Sequence, residues 1–164
     1  MQKDVKTVGI PAVGLPVIRP AAENDLETLL TLESRSFSVP WNAAALLSHL
    51  AANHTLSLLL LEGDAPAGYL LAGFTPPEGD LYRVAVLPEK RRRGYGRLLL
   101  DAFLAAAGER AVDTLWLDVR ESNEAAIALY RSFGFDVVLK RENYYRDPTE
   151  AAFVMTAKRP KETP

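Results

Sequence analysis

The sequence predicts an α/β fold, a mixed central sheet of six to seven strands flanked by about four helices. Three observations point to it. Along most of the chain, apolar runs of strand length alternate with segments whose leucines recur at helical spacing. Clusters such as Gly63-Asp64-Ala65-Pro66 and Arg146-Asp147-Pro148-Thr149 carry turn chemistry between them. The chain has 164 residues with 48% hydrophobic and 24% charged content, enough for the core of one domain and a squeeze for two.

The elements follow in order. Val17 to Arg19 is a short strand. Asn24 and Glu27 then have the spacing of a capping box for a helix carrying Leu26, Leu29, Leu30 and Leu32. Pro40 precedes a second helix, Trp41 to Leu50, with Leu46, Leu47 and Leu50 at helical spacing. Thr55 to Glu62 and Ala67 to Phe74 form a hairpin, and Leu81 to Leu87 is the next strand. Gly96 to Ala107 is an amphipathic helix with Leu99, Leu100, Phe103, Ala106 and Ala107 on one face. A strand, Thr114 to Arg120, leads to a helix from Ser122 to Phe133, capped by Ser122 and ended by Gly134; two strands complete the chain. Residues 1–14 read as a loose arm, 15–158 as the domain and 159–164 as a polar tail.

Composition narrows the function. A net charge of −2 gives no global attraction to polyanions, so affinity for phosphate must be local. The absence of cysteine excludes disulfides, thiolate nucleophiles and Cys-based zinc sites, and fits a cytoplasmic protein. His49 and His54 are the only histidines and do not share a helix face, so they read as surface or rim residues and no metal site is expected. No segment approaches the roughly 20 apolar residues of a membrane span, and Met1 to Gly14 lacks the apolar stretch of a secretory signal.

The chemistry gathers where the strand Leu81 to Leu87 passes through Pro88 and a basic run into the helix at Gly96. Arg91-Arg92-Arg93-Gly94-Tyr95-Gly96-Arg97 has the design of an anion cradle. First-turn amides lack intrahelical acceptors, the dipole end is positive, and the glycines let a phosphate approach the backbone. A dinucleotide fingerprint would need glycine where Leu99 stands, and a Walker loop needs a Gly-Lys-Ser/Thr ending that is absent. Nucleic-acid binding fits poorly with so short a patch at a strand-to-helix turn. A solvated charged loop is the remaining alternative, and the glycines argue against it.

Arg91-x-x-Gly94-x-Gly96, after a strand ending Val84-Ala85-Val86-x-Pro88, resembles the acetyl-coenzyme A loop of the GNAT family of N-acetyltransferases. Leu115 to Asn123, Ala126 to Phe135, and Arg141-x-Asn143-Tyr144-Tyr145 are similar to its RimI branch, whose members acetylate the N-terminal alanine of a ribosomal protein. Phe37-x-x-Pro40-Trp41 is RimI-like too, and the resemblance runs from about Val17 to Lys158.

The resemblance implies the GNAT fold and acetyl-coenzyme A as co-substrate. The acceptor it implies is a protein or peptide N-terminus, met in a ternary complex without nucleic acid or membrane; monomer and homodimer stay open. Main-chain groups of Val84, Ala85 and Val86 should hold the thioester carbonyl, Asn123 should contact the cofactor arm, and Tyr130 should protonate the departing sulfur. The competing reading of Tyr130 is core packing beside Ile127 and Phe133. Asp118 stands where the RimI branch carries the glutamate base. Strand alternation places it with Trp116 and Arg120 in the middle of an apolar strand, as a buried carboxylate that function or an arginine partner such as Arg120 or Arg83 should explain. Asp80 and Glu78 are the alternative bases. Phe37, Trp41, Tyr144 and Tyr145 either wall the acceptor or belong to the core. Arg83 departs from the branch pattern, and an arginine in that cleft would favour a carboxylate-bearing substrate. A small-molecule amine acetyltransferase and a non-catalytic coenzyme A-binding module are the competing readings.

Overall fold

The computed structural model describes residues 14–159, so the arm and the tail lie almost wholly outside the described residues. Arg159, assigned above to the tail, is docked: its N–H donates to the Asp113 carbonyl (2.7 Å) and its guanidinium to the Val112 carbonyl (3.1 Å). Seven strands form one sheet: β1 Pro16–Pro20, β2 Thr55–Glu62, β3 Ala65–Thr75, β4 Glu78–Val86, β5 Thr114–Arg120, β6 Asp136–Tyr145 and β7 Glu150–Lys158. Their order is β1-β2-β3-β4-β5-β7-β6, antiparallel throughout except for the parallel pair β4–β5. That pair is parallel because a helix, not a hairpin, connects it. The helices are α1 Leu26–Ser36, α2 Ala43–Ala51, α3 Tyr95–Glu109 and α4 Glu124–Ser132.

Helices cover both faces. On one, α3 and α4 contribute Leu99, Leu100, Phe103 and Tyr130 to a core with Leu60, Leu70, Leu81, Leu115 and Leu117. On the other, Leu29, Leu32 and Leu46 of α1 and α2 pack on Leu59, Tyr69, Leu71 and Leu87. Successive strand residues alternate between the two cores, which explains why central β3 reads as an unbroken apolar run.

The caps differ from expectation. Glu23–Asp25 is a 3-10 turn, and α1 is entered through Asp25 rather than an Asn24–Glu27 box. The Asp25 carboxylate accepts from Arg19 (2.8 and 2.9 Å) and the Ala22 N–H (2.9 Å), and the Arg19 bonds hold it down to about 2. Asn42 caps α2 by accepting from the Ala45 N–H (2.8 Å), so the helix starts after Trp41 and leaves that ring outside it. Asn123, not Ser122, caps α4, accepting from the Ala126 N–H (3.2 Å). Gly134 ends that helix with φ 88°, a left-handed conformation that glycine adopts without steric cost. His49 is buried rather than at the rim: it is 7% exposed, 3.1 Å from the Leu56 carbonyl, and burial lowers its pKa.

One departure from regularity positions everything that follows. Strand β4 pairs with β5 only over Glu78–Leu81 against Thr114–Leu117. Beyond Leu81, β4 stays with β3 as far as Val86, while β5 follows β7 to Arg120. The two strands part like the arms of a fork. A bulge starts the parting: Leu71 pairs with Arg83 and Ala72 with Leu81, leaving Tyr82 as the extra residue.

Candidate active site

The fork exposes main chain. The Leu87 N–H donates to the Ala67 carbonyl of β3 (2.9 Å), so ladder alternation turns Ala85 and Arg83 toward β3 and Val84 and Val86 toward the gap. The Val86 carbonyl faces outward, as required, and accepts from Arg91 Nε (3.1 Å). Val84 and Val86 therefore offer polar groups to a ligand in the fork. The main chain of Ala85 belongs to the ladder, which removes it from the expected carbonyl-holding set.

At the tip of the fork, β4 leads into the N-terminus of α3. Gly94, at φ 77°, is the N-cap and supplies no side chain, and Leu98 is the first residue to bond back within the helix, to the Gly94 carbonyl (3.1 Å). The amides of Tyr95, Gly96 and Arg97 are thus left to an outside acceptor. A Cβ at position 96 would sit 3.1 Å from Leu129 Cδ2, so this glycine also permits the close approach of α4. An uncapped helix start, cations beside it and a free strand edge running up to it fit a pantetheine-linked diphosphate.

The loop's side chains are more committed than the sequence suggests. Glu62, at the end of β2, accepts from Lys90 (3.0 Å), Arg93 (2.6 Å) and the Tyr95 hydroxyl. The hydrogen bond from Tyr95, with those from Arg93 and Lys90, holds its carboxyl down to about 2. Tyr95 is 6% exposed, so only its main chain faces a ligand. Arg97 donates to Ser132 Oγ (3.0 Å) and lies 5.2 Å from the Phe133 ring centroid. Arg91 and Arg92 are exposed, and Arg92 has φ 63°. Glu62→Gln is expected to raise the KM for acetyl-coenzyme A by about tenfold with little change in kcat, because a neutral amide grips the two cations weakly. Initial-rate kinetics at saturating acceptor check this.

The opposite face of the fork opens into a cleft of about 500 Å³ lined by Trp41, Asp80, Tyr82, Arg83, Trp116, Asp118, Arg141, Tyr144 and Tyr145. Asp118 is exposed, not buried, since it lies just past the last residue of β5 that pairs with β4. Its partner is no arginine: Tyr144 donates to its Oδ2 (2.9 Å). Arg120 instead donates to the carbonyls of Pro148 (2.9 Å) and Arg146 (2.8 Å), tying β5 to the final hairpin. Asn143, at φ 53°, lies in the ladder interruption between Arg141 and Tyr145, which aims Tyr144 across at Asp118.

Arg83 is likewise held. Its Nε lies 3.3 Å from Glu33 Oε1, within ion-pair distance but without hydrogen-bond alignment, and Nη2 donates to the Val39 carbonyl (3.0 Å). Its guanidinium sits 4.1 Å from the Phe37 ring centroid. Phe37 therefore backs the arginine and does not line the cleft, whereas Trp41 does. Glu33 is fully buried and also accepts from the Tyr69 hydroxyl (2.6 Å) and the Trp41 N–H (2.7 Å). A cationic cleft selecting carboxylates, as Arg83 suggested, is thereby replaced by one whose exposed charges include Asp80 and Asp118.

Tyr130 belongs to the α3–α4 face. It is 7% exposed, edge-on to Phe135 with ring centroids 6.1 Å apart, and burial raises its pKa, with Tyr145 adding to the effect. Tyr130 does not line the cleft but packs in the α3–α4 core, near enough to Tyr145 of the cleft to feel its charge. Among the described residues no cluster of His, Cys, Asp and Glu could hold a metal ion, and no helix is long and apolar enough to cross a membrane. Sequence reasoning missed Glu33, Glu62, Tyr82 and Trp116.

An anion cradle at one face of the fork and an open cleft at the other leave room for the two substrates of a group-transfer enzyme. The chain belongs to the acetyltransferase (GNAT) family, which residues 26–135 match. It is an N-acetyltransferase, and acetyl-coenzyme A is its acetyl donor. The ribosomal protein bS18-alanine N-acetyltransferase of Salmonella typhimurium is 38% identical over 121 residues, 74% of this chain and 81% of that protein. The protein of the same name from Escherichia coli K12 is 36% identical over 133 residues, 80% of this chain and 89% of the relative. The crystal structure of the Escherichia coli ribosomal-protein-S18-alanine N-acetyltransferase superposes with a TM-score of 0.82 at 32% identity, covering 92% of this chain and 99% of that one.

Proposed function

We propose that this protein acetylates the N-terminal α-amine of a protein, a ribosomal protein in the first instance, by direct attack on acetyl-coenzyme A in a ternary complex. The observation that carries the reading is the fork, with the α3 cradle on one face and the Trp41–Tyr144 cleft on the other. The names of the similar proteins supply the acceptor class.

Each side chain then has a task. Arg91, Arg92 and the free amides of Tyr95, Gly96 and Arg97 hold the phosphates, Arg93 and Lys90 shape the loop through Glu62, and Asn123 faces the cofactor arm with the amide group its cap leaves free. Val84 and Val86 orient the thioester carbonyl, placing donors where negative charge develops. Asp118 and the rings of Trp41, Tyr144 and Tyr145 receive the acceptor ammonium. Tyr130, held protonated by burial, gives its proton to the departing sulfur.

An α-amine, with a pKa of about 8, is far easier to neutralise at physiological pH than a lysine at about 10.4. A peptide beginning with alanine is expected to release free thiol from acetyl-coenzyme A and gain one acetyl group, while its Nα-blocked counterpart stays inert. Mass spectrometry reads both. Acetylation of lysine side chains, polyamines or free amino acids in preference to the open N-terminus would contradict the proposal.

A further inference from the structure

The acceptor cleft holds two aspartates in different settings. Asp80 on β4 pairs in register with Trp116 of β5, one position before the fork opens, and Asp118 follows one position after it. Register partners share a face and alternate residues on β5 share a face, so Asp80, Trp116 and Asp118 all face the acceptor side. Both carboxylates line the cleft. Both are solvent-exposed, and Asp118 accepts from Tyr144 (2.9 Å). Asp80 has no such donor among the described residues. The Trp116 indole, which stands beside it, donates to Glu78 (3.3 Å) instead.

We propose that Asp80 is the catalytic base, taking the proton of the acceptor ammonium, while Asp118, anchored by Tyr144, holds that ammonium in place. This deepens the reading of the chain as an amine acetyltransferase and rests on it. The groups facing Asp80 are Glu78, Tyr82 and Arg83 on its own strand, Asp118 on β5, and Arg141, Tyr144 and Tyr145 on β6. Arg83 is neutralised by Glu33, and Arg141 lies 5.6 Å from the Tyr144 ring centroid. Asp80 is exposed at the cleft mouth, as Asp118 is; partial desolvation by the cleft walls raises its carboxyl, and the charges of Glu78 and Asp118 raise it further. One carboxylate is tied to Tyr144 and the other has no donor among the described residues, so the first is fixed in place and the second is free to take a proton.

The proton balance closes. One proton passes from the ammonium to the Asp80 carboxylate, leaving a neutral amine whose nitrogen forms a bond to the acetyl carbon. The carbon–sulfur bond breaks, and the sulfur takes its proton from Tyr130. The nitrogen sheds its second proton, which restores Tyr130, and Asp80 returns its own to water. One acetyl amide, one free thiol and one released proton result.

The test is the pH dependence of kcat/KM for an N-terminal alanine peptide in wild type, Asp80→Asn and Asp118→Asn. With a base in place, the wild type works below the pKa of the amine, and its acid limb falls only as Asp80 protonates. Asp80→Asn must await free neutral amine. Its acid limb is expected to move up to about 8, with a loss of about tenfold at pH 7 that recovers by about pH 9. Its KM for acetyl-coenzyme A should stay at the wild-type value, because the donor cradle is on the other face. Asp118→Asn is expected to raise the acceptor KM without moving the limb. Carbon-13 NMR of the side-chain carboxyls should show a resonance titrating above the ordinary aspartate range that Asp80→Asn removes. An Asp80→Asn profile superimposed on wild type, or an Asp80 carboxyl titrating in the ordinary range, would overturn the assignment alone. A wild type that acetylates no amine would sink the functional reading together with it.

Discussion

Tyr130→Phe is expected to lower kcat by about 100-fold, the scale of a positioned proton donor, with the KM for acetyl-coenzyme A nearly unchanged. The substitution keeps the ring that packs on Phe135 and removes only the hydroxyl, so the fold should be spared. Burial shifts the phenol in the direction that keeps it protonated, so it starts each turnover able to donate. The sign follows: a donor with a raised pKa is lost only as pH climbs past that value, so Tyr130 contributes no alkaline limb below the ordinary tyrosine range of about 10. Stopped-flow detection of thiol release checks both points. Full turnover by Tyr130→Phe at every pH would remove it from the chemistry.

Glu33→Ala is expected to cost stability rather than chemistry. Its carboxylate has no solvent exposure and serves the Tyr69 hydroxyl, the Trp41 N–H and Arg83 together. Removing it orphans a buried phenol and a guanidinium that is mostly covered. Breaking a buried pair in this way costs about 3–5 kcal/mol. For a domain of this size that corresponds to a melting-temperature drop of roughly 10 °C. Thermal unfolding followed by circular dichroism measures it, and a loss below about 1 kcal/mol would show that water takes over the role. Because Trp41 and Arg83 are placed by Glu33, the surviving folded enzyme should also bind its acceptor more weakly.

The strands and helices were legible in the sequence because their leucines repeat at distinct periods, and the open start of α3 was legible because its glycines and cations are contiguous. What escaped reading lies in pairs distant along the chain. Glu33 sits among leucines in an amphipathic helix and reads as surface, yet its partners come from β3, β4 and the Trp41 segment. Glu62 ends an apolar strand and reads as a turn residue, although it gathers Lys90, Arg93 and Tyr95. Asp118 was expected to be buried because alternation along β5 says nothing about where pairing with β4 stops. Arg83 was read as facing substrate when Glu33 and Phe37 already hold it. The bulge at Tyr82, which opens the fork, leaves no mark in composition, since any residue can occupy it.

The most direct measurement is a crystal structure with a bisubstrate compound in which coenzyme A is joined through an acetyl bridge to the amine of an N-terminal alanine peptide. The account predicts the bridge within the gap between β4 and β5, its carbonyl on the main chain of Val84 or Val86. The diphosphate should rest on the amides of Tyr95, Gly96 and Arg97, and the peptide should leave past Asp80, Asp118 and Trp41. A bridge lying outside the fork, or a peptide and a pantetheine arm on the same face of the sheet, would contradict it.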